Sequence, residues 1–135
     1  MPITSDCFLD WCQSFNSGEN LTEIDYRIIV SRSYYSAYHA TLYFAESSLE
    51  IPISSYRGSL HLKLSEMLSN FTCEDKERQR EIRRIGVRIS ALHTLRIRAD
   101  YHLLDTLSLK DAEGLIKNTS EIIGIINGIK QSVAA

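Results

Sequence analysis

The chain has 135 residues, 44% apolar and 24% charged, the size and composition of one ordinary domain spanning 1–135 around a single core. A formal charge of −2 excludes a protein that coats nucleic acid through bulk positive charge, so any such contact must come from a local patch. The three cysteines, Cys7, Cys12 and Cys73, are odd in number and form no CxxC pair, which points to free thiols and a cytoplasmic location, and no apolar run approaches the roughly 20 residues a membrane-spanning helix needs.

The only prolines are Pro2 and Pro52, so long stretches have nothing to interrupt a helix. A first helix is expected over 5–15, closed by the turn Asn16, Ser17, Gly18, with Trp11 as a core anchor. Asn20 followed by Glu23 resembles a capping box and opens a second, longer helix over 21–48, whose Val30, Tyr34, Ala37, Thr41 and Ala45 share a face. In the same helix Tyr34, Tyr35 and Tyr38 are expected to pack in the bundle with their hydroxyls at its edge, while Arg32 and His39, seven residues apart, share a face. The segment 50–58 around Pro52 is a loop, and 59–69 a short helix facing inward through Leu60, Leu64, Met67 and Leu68.

A fourth helix is expected over 74–107, opened by Thr72 and Asp75, with the stripe Ile82, Ile85, Ile89, Leu92, Arg96, Ala99, Leu103. Lys76, Arg78, Arg80, Arg83, Arg84, Arg88, Arg96 and Arg98 all fall on it. That charge serves either as a phosphate-backbone footprint or as a solvated face carrying pairs such as Glu77 with Arg80 and Glu81 with Arg84. Arg96 differs from the rest, because a guanidinium on an apolar stripe needs a partner or an interface, and Asp100 stands one turn on. At about 100° per residue, Arg98 lies about 40° from His102, whereas Arg96 and His102 converge only if a second surface packs on the stripe. Ser108 and Asp111 open the last helix, over 109–133, with Ala112, Leu115, Ile116, Thr119, Ile122, Ile123 and Ile126 inward and Gly124 and Gly128 permitting close helix contact. The fold class is therefore all-α. Cys7 and Cys12 with His39 or His61 match no compact zinc motif, so no metal or other cofactor is expected.

Three segments carry a family resemblance. Ser31, Arg32, Ser33, Tyr34, Tyr35, Ser36, Ala37, Tyr38, His39 is similar to the Ser-Arg-x-Tyr-Tyr-x-x-Tyr-His element of prokaryotic members of the HEPN (higher eukaryote and prokaryote nucleotide-binding) superfamily. Arg96, Ile97, Arg98, Ala99, Asp100, Tyr101, His102 resembles their Arg-x-x-Ala-Asp-Tyr element, and Ser108 to Glu113 looks like the start of their last helix. The resemblance implies an up-and-down bundle of four to five helices that forms a homodimer, and the lack of a long apolar run implies no membrane contact. In many members it also implies a metal-independent ribonuclease whose motif is arginine, four to six residues, then histidine. Arg96 and His102 fit that spacing, with Arg98 as the neighbouring cation; Arg32 with His39 and Arg88 with His93 fit it too. Histidine can move the proton of a ribose 2′-hydroxyl near neutral pH, and arginine can stabilise the charge of a phosphorane. Expected catalytic residues are then Arg96, His102 and Arg98, with Arg32, Tyr35, His39, Asp100 and Tyr101 supporting. The functions that follow are an RNA-cleaving toxin or defence effector held by an antitoxin, a non-catalytic module binding nucleotide, nucleic acid or a nucleotidyltransferase-type partner, or a purely structural helical dimer.

Overall fold

The computed structural model describes residues 3–134, and among them the chain forms five α-helices, one 3-10 turn and no strand. The helices are α1 (Ser5–Asn16), α2 (Glu23–Ser47), α3 (Leu60–Ser69), α4 (Lys76–Tyr101) and α5 (Leu109–Ala134), with the 3-10 turn at Ile53–Ser55. No helix among them is long and apolar enough to cross a membrane. The all-helical bundle agrees with the apolar periodicity.

Central α2 packs on α1, α4 and α5, and α3 lies against α4. Side-chain contacts set the directions. Cys12 bonds the Ile29 carbonyl and Ser36 the Ser5 carbonyl, so α1 and α2 are antiparallel. Arg27 meets Ala99 while Tyr34 meets His93, so α2 and α4 are antiparallel as well. The core is one cluster running from Cys12 and Ile29 through Tyr34, Phe44 and Leu64 to Ile85, Leu115 and Ile122.

The starts of α2, α3 and α4 shift by a residue or two from the sequence reading, while α1 and α5 begin where expected. The box that opens α2 is Thr22 with Asp25, whose carboxylate accepts from the Thr22 backbone N–H at 2.8 Å; Asn20 instead sits at φ 62° in the preceding turn. Asp75 caps α4 directly, accepting from Glu77 and Arg78 N–H groups at 3.1 and 3.2 Å. Ser108 and Asp111 cap α5 as expected.

The larger departure is at the end of α4, which stops at Tyr101 and not near 107. The Arg27 side chain, 9% exposed, reaches across from α2 and donates to the carbonyls of Ala99 at 2.8 Å, Arg98 at 3.3 Å, His102 at 3.3 Å, and Asp105. The Arg98 and His102 oxygens also accept backbone N–H groups, of His102 and Asp105, but those of Ala99 and Asp105 have no backbone donor, and the guanidinium satisfies them while complementing the helix dipole. Glu23 holds Arg27 at 2.9 Å and also accepts the Leu107 N–H at 3.3 Å, which keeps its carboxyl below the usual range. Residues 102–107 thus fold back over the start of α2, Leu107 is buried, and Leu103 is left exposed.

Three further expectations are corrected. Trp11 is 46% exposed and stacks on Phe15 at 4.8 Å, so it anchors no core. A Cβ at Gly124 or Gly128 meets nothing within 4 Å; the close helix contact is at Gly86, where a Cβ would stand 2.4 Å from the Ser69 backbone nitrogen. Ion pairs Glu77–Arg80 and Glu81–Arg84 are not formed among the described residues; Arg83 instead donates to the Phe71 carbonyl at 2.7 Å, and Arg88 pairs with Glu121 on α5.

Candidate functional site

Two arginines near the end of α4 point in different directions. Arg98 points to the fold-back loop, where its Nε lies 3.2 Å from Asp105 Oδ2 and its guanidinium donates to the Thr106 carbonyl at 2.8 Å. His102, the residue that caps α4, places Nδ1 3.8 Å from that same Asp105 oxygen. One carboxylate therefore brings Arg98 and His102 together. The turn closes because the Asp105 N–H donates to the His102 carbonyl at 3.1 Å, and Arg27 holds both carbonyls from beneath. His102 and Arg98 are each more than one-third exposed, so the group lies on an open surface.

Arg96 is directed elsewhere, and no hydrogen bond or ion pair joins it to His102. Its Nε is 2.8 Å from Asp100 Oδ2, the partner expected one turn on, although the N–H does not point along that line. It donates to the Tyr35 hydroxyl at 3.2 Å and lies 5.5 Å from the Tyr35 ring centre and 5.8 Å from that of Tyr101. Asp100 also accepts from Ser31 at 3.2 Å. Arg32 is exposed 5.4 Å from the Tyr35 ring, and His39 is exposed and stacked on that ring at 5.9 Å. Neither Arg32 nor His39 bonds Asp100, Arg98 or His102. The third spacing match separates as well, since Arg88 turns to α5 while His93 faces α2 and α3.

A second cluster was missed from the sequence. His61 on α3 and His93 on α4 stack nearly parallel, 4.9 Å between centres, and the Tyr34 hydroxyl lies 2.6 Å from His61 Nδ1. Tyr38 stacks on His61 at 4.1 Å. Burial raises the Tyr34 hydroxyl, so it keeps its proton, and it shares a hydrogen bond with Nδ1 whose direction is set by the imidazole tautomer. Burial first, then His93, Arg96 and His39, depresses His61 to about 4, and burial with Arg96 lowers His93. Both imidazoles are neutral at pH 7. The available signal was weak: each histidine falls at an inward position of its helix.

The stripe through Ile85, Leu92 and Ala99, on which a second surface would have to pack for Arg96 and His102 to converge, is buried inside this chain against its neighbours. Among the apolar residues left outside, Ile24 and Ile28 of α2, Trp11 of α1 and Leu103 of the fold-back loop come together along two neighbouring clefts. A cleft of 240 Å³ lined by Ile24, Ile28, Arg32 and Leu103 adjoins an apolar one of 360 Å³ lined by Phe8, Trp11, Ile28 and Arg32. Cys7 is exposed and Cys12 buried, and among the described residues no three His, Cys, Asp or Glu side chains are grouped to hold a metal. Comparison with family models, curated proteins and solved structures finds no match to the chain.

Proposed function

We propose that the chain is a HEPN-type domain that cleaves RNA without a metal, using Arg98, Asp105 and His102 in a homodimer. The observation that carries this reading is the single Asp105 carboxylate shared by a guanidinium and an imidazole at the end of α4. With Nδ1 turned toward Asp105, His102 presents Nε2 to take the ribose 2′-hydroxyl proton. The 2′-oxygen attacks phosphorus, Arg98 stabilises the charge on the phosphorane oxygens, and the bond to the 5′-oxygen breaks. That oxygen leaves with a proton from a second acid, and the products are a 2′,3′-cyclic phosphate and a 5′-hydroxyl. One chain offers one exposed His102, so the second acid comes from a second copy, packed through the apolar surface beside the loop. An antitoxin or nucleotidyltransferase-type partner would hold the enzyme in check by covering the same surface.

A non-catalytic module is the second reading. It is favoured by the contacts of Arg98, whose guanidinium is already engaged by Asp105 and the Thr106 carbonyl. Purified protein incubated with single-stranded RNA in excess EDTA separates the two. Cyclic-phosphate ends that vanish in His102→Ala and fall about a hundredfold or more in Arg98→Ala support the enzyme, with Arg96→Ala affected less. Equal cleavage by wild type and His102→Ala removes the site assignment, and binding without cleavage installs the module.

A further inference from the structure

Arg32 is a cation of α2 that the cleavage chemistry leaves unused. It is exposed 5.4 Å from the Tyr35 ring, and no carboxylate among the described residues pairs with it. The cleft of 360 Å³ beside it runs between α1 and α2. Cys7, Phe8 and Trp11 fall on one face of α1, and Ile28 and Arg32, one turn apart, make the α2 wall. Among the described residues Arg32 is the only Lys, Arg, Asp or Glu in that lining; Asp6 and Asp10 of α1 lie outside it. Ile28 and Arg32 also line the neighbouring cleft of 240 Å³, where the other charged groups are already engaged, Arg27 with the α4 carbonyls and Asp100 with Arg96 and Ser31. A free cation therefore stands at the junction of the two clefts. The apolar walls are half-open, with Trp11 46% and Ile28 41% exposed.

We propose that this cleft binds a single acyl carboxylate of medium chain length, its tail against Phe8, Trp11 and Ile28 and its carboxylate on Arg32, and that the bound ligand keeps the chain monomeric. At 360 Å³ the cleft lies within the roughly 300–1,000 Å³ of small-molecule sites. The tail takes apolar walls out of water, and the planar guanidinium matches a carboxylate with two parallel hydrogen bonds. A cationic ligand with the same tail meets repulsion at Arg32. A bilayer takes up a projecting apolar face, whereas these walls line a recess, so the occupant is one dissolved molecule and not a lipid surface. The regulatory half of the inference rests on the reading of this surface as the contact with a second copy. The tail and the second chain cover the same Trp11 and Ile28, so each excludes the other, and ligand draws the equilibrium toward the monomer. Without the second chain the second acid is missing and cleavage stops.

The test uses the full chain and decanoate, kept below the concentration at which it forms micelles, with decylammonium as a probe of equal tail and opposite charge. Trp11, the only tryptophan, reports binding by a shift of its emission to shorter wavelength, at a protein concentration where light scattering shows monomer. Maleimide labelling read by mass spectrometry gives the second readout, because the bound tail should shield Cys7 and leave Cys73 reacting at its own rate. Wild type should prefer decanoate to decylammonium, and octanoate should bind more weakly by up to about fourfold for each methylene lost. Arg32→Gln should weaken decanoate about fivefold without weakening decylammonium, and Arg32→Lys should keep the preference. Arg32 is exposed, so its replacement leaves the core intact, and Ile28→Ser, a second variant, should weaken both probes. Equal binding of the two probes by wild type, decanoate binding unchanged in Arg32→Gln, or a response that begins only with micelles or with phosphatidylglycerol vesicles overturns the site. Dimer formation and RNA cleavage are followed in parallel. Decanoate that binds and leaves a cleaving dimer intact overturns the regulation. Decanoate binding by a chain that neither dimerises nor cleaves RNA removes the ribonuclease reading and leaves the ligand site standing.

Discussion

Replacing Arg27 by methionine tests whether the candidate site is built by a long-range cap. The substitution keeps most of the side chain's apolar length and removes hydrogen bonds to four carbonyls, of Arg98, Ala99, His102 and Asp105, as well as the pair with Glu23. Hydrogen bonds from a charged donor contribute roughly 1.5–3 kcal/mol each, but they share one side chain and water reaches the outer two when the loop lifts. The inner pair sets the scale, because Ala99 is buried and its carbonyl would lose its partner. A buried acceptor left unsatisfied costs about 1–3 kcal/mol, and loss of the charged donor puts Arg27→Met at the upper end of that range, about 3 kcal/mol. With a urea slope of about 1–3 kcal/mol/M, the unfolding midpoint followed by circular dichroism should fall by about 2 M. Arg27→Lys, which keeps the charge and loses the planar fork, should fall between the two. The loop carrying His102 and Asp105 should also exchange its amide hydrogens faster at denaturant concentrations where the core is intact. A midpoint within about 0.3 M of wild type, with unchanged exchange at 102–107, would refute the claim that Arg27 ends α4 and holds the loop.

Gly86→Ala should destabilise the protein by about 1–3 kcal/mol, because its Cβ would stand 2.4 Å from Ser69 N and 2.8 Å from the Leu68 carbonyl carbon. Gly124→Ala meets nothing within 4 Å in mid-helix and should stabilise by about 0.5–1 kcal/mol in the same urea titration; a gain at Gly86 would show that α3 sits further from α4. Stability should also fall on acidification. His61 is depressed to about 4 from 6.5, so between those values the unfolded chain binds more protons; the contribution is complete above about pH 6.5 and is lost as pH falls toward 4. His61 is only half-buried, so the full shift is screened to about 1–2 kcal/mol, and His61→Gln should flatten the profile of urea midpoints over that range. Trp11, the only tryptophan, lies on the apolar surface assigned to the dimer contact, so its emission should move to shorter wavelength as concentration rises. An emission maximum constant across the concentrations where light scattering reports a dimer would place that contact elsewhere.

What the sequence made legible was the part of the fold set by local spacing. Val30, Tyr34, Ala37, Thr41 and Ala45 on α2, and Ala112, Leu115, Ile122 and Ile126 on α5, recur at helical intervals and are all buried, because a bundle helix has to turn one stripe to its neighbours. The end of α4 was not legible in that way. Leu103 and Leu107 continue the interval, and what stops the helix is Arg27, more than 70 residues earlier in the chain. Periodicity carries no record of such a contact. Gly86 did leave a local mark, since a glycine between Ile85 and Val87 in a helix interior costs about 1 kcal/mol unless a neighbour needs the space.

The candidate site divides along the same line. Arginine, an interval and histidine occur three times, and that interval alone does not choose among Arg32 with His39, Arg88 with His93, and Arg96 with His102. A face does choose. Arg98, His102 and Asp105 stand at i, i+4 and i+7, positions that a helix of about 3.6 residues per turn sets within about 60° of one another. Arg96, six residues before His102, is about 120° away from it on the same cylinder. The chain leaves the helix at His102, yet the 102–105 turn preserves that neighbourhood by bonding the Asp105 N–H to the His102 carbonyl, so both Arg98 and His102 still meet Asp105. Asp105 was thus legible as the third member of a helical face, and the acid at that position, not the count of residues between arginine and histidine, distinguishes Arg98 from Arg96.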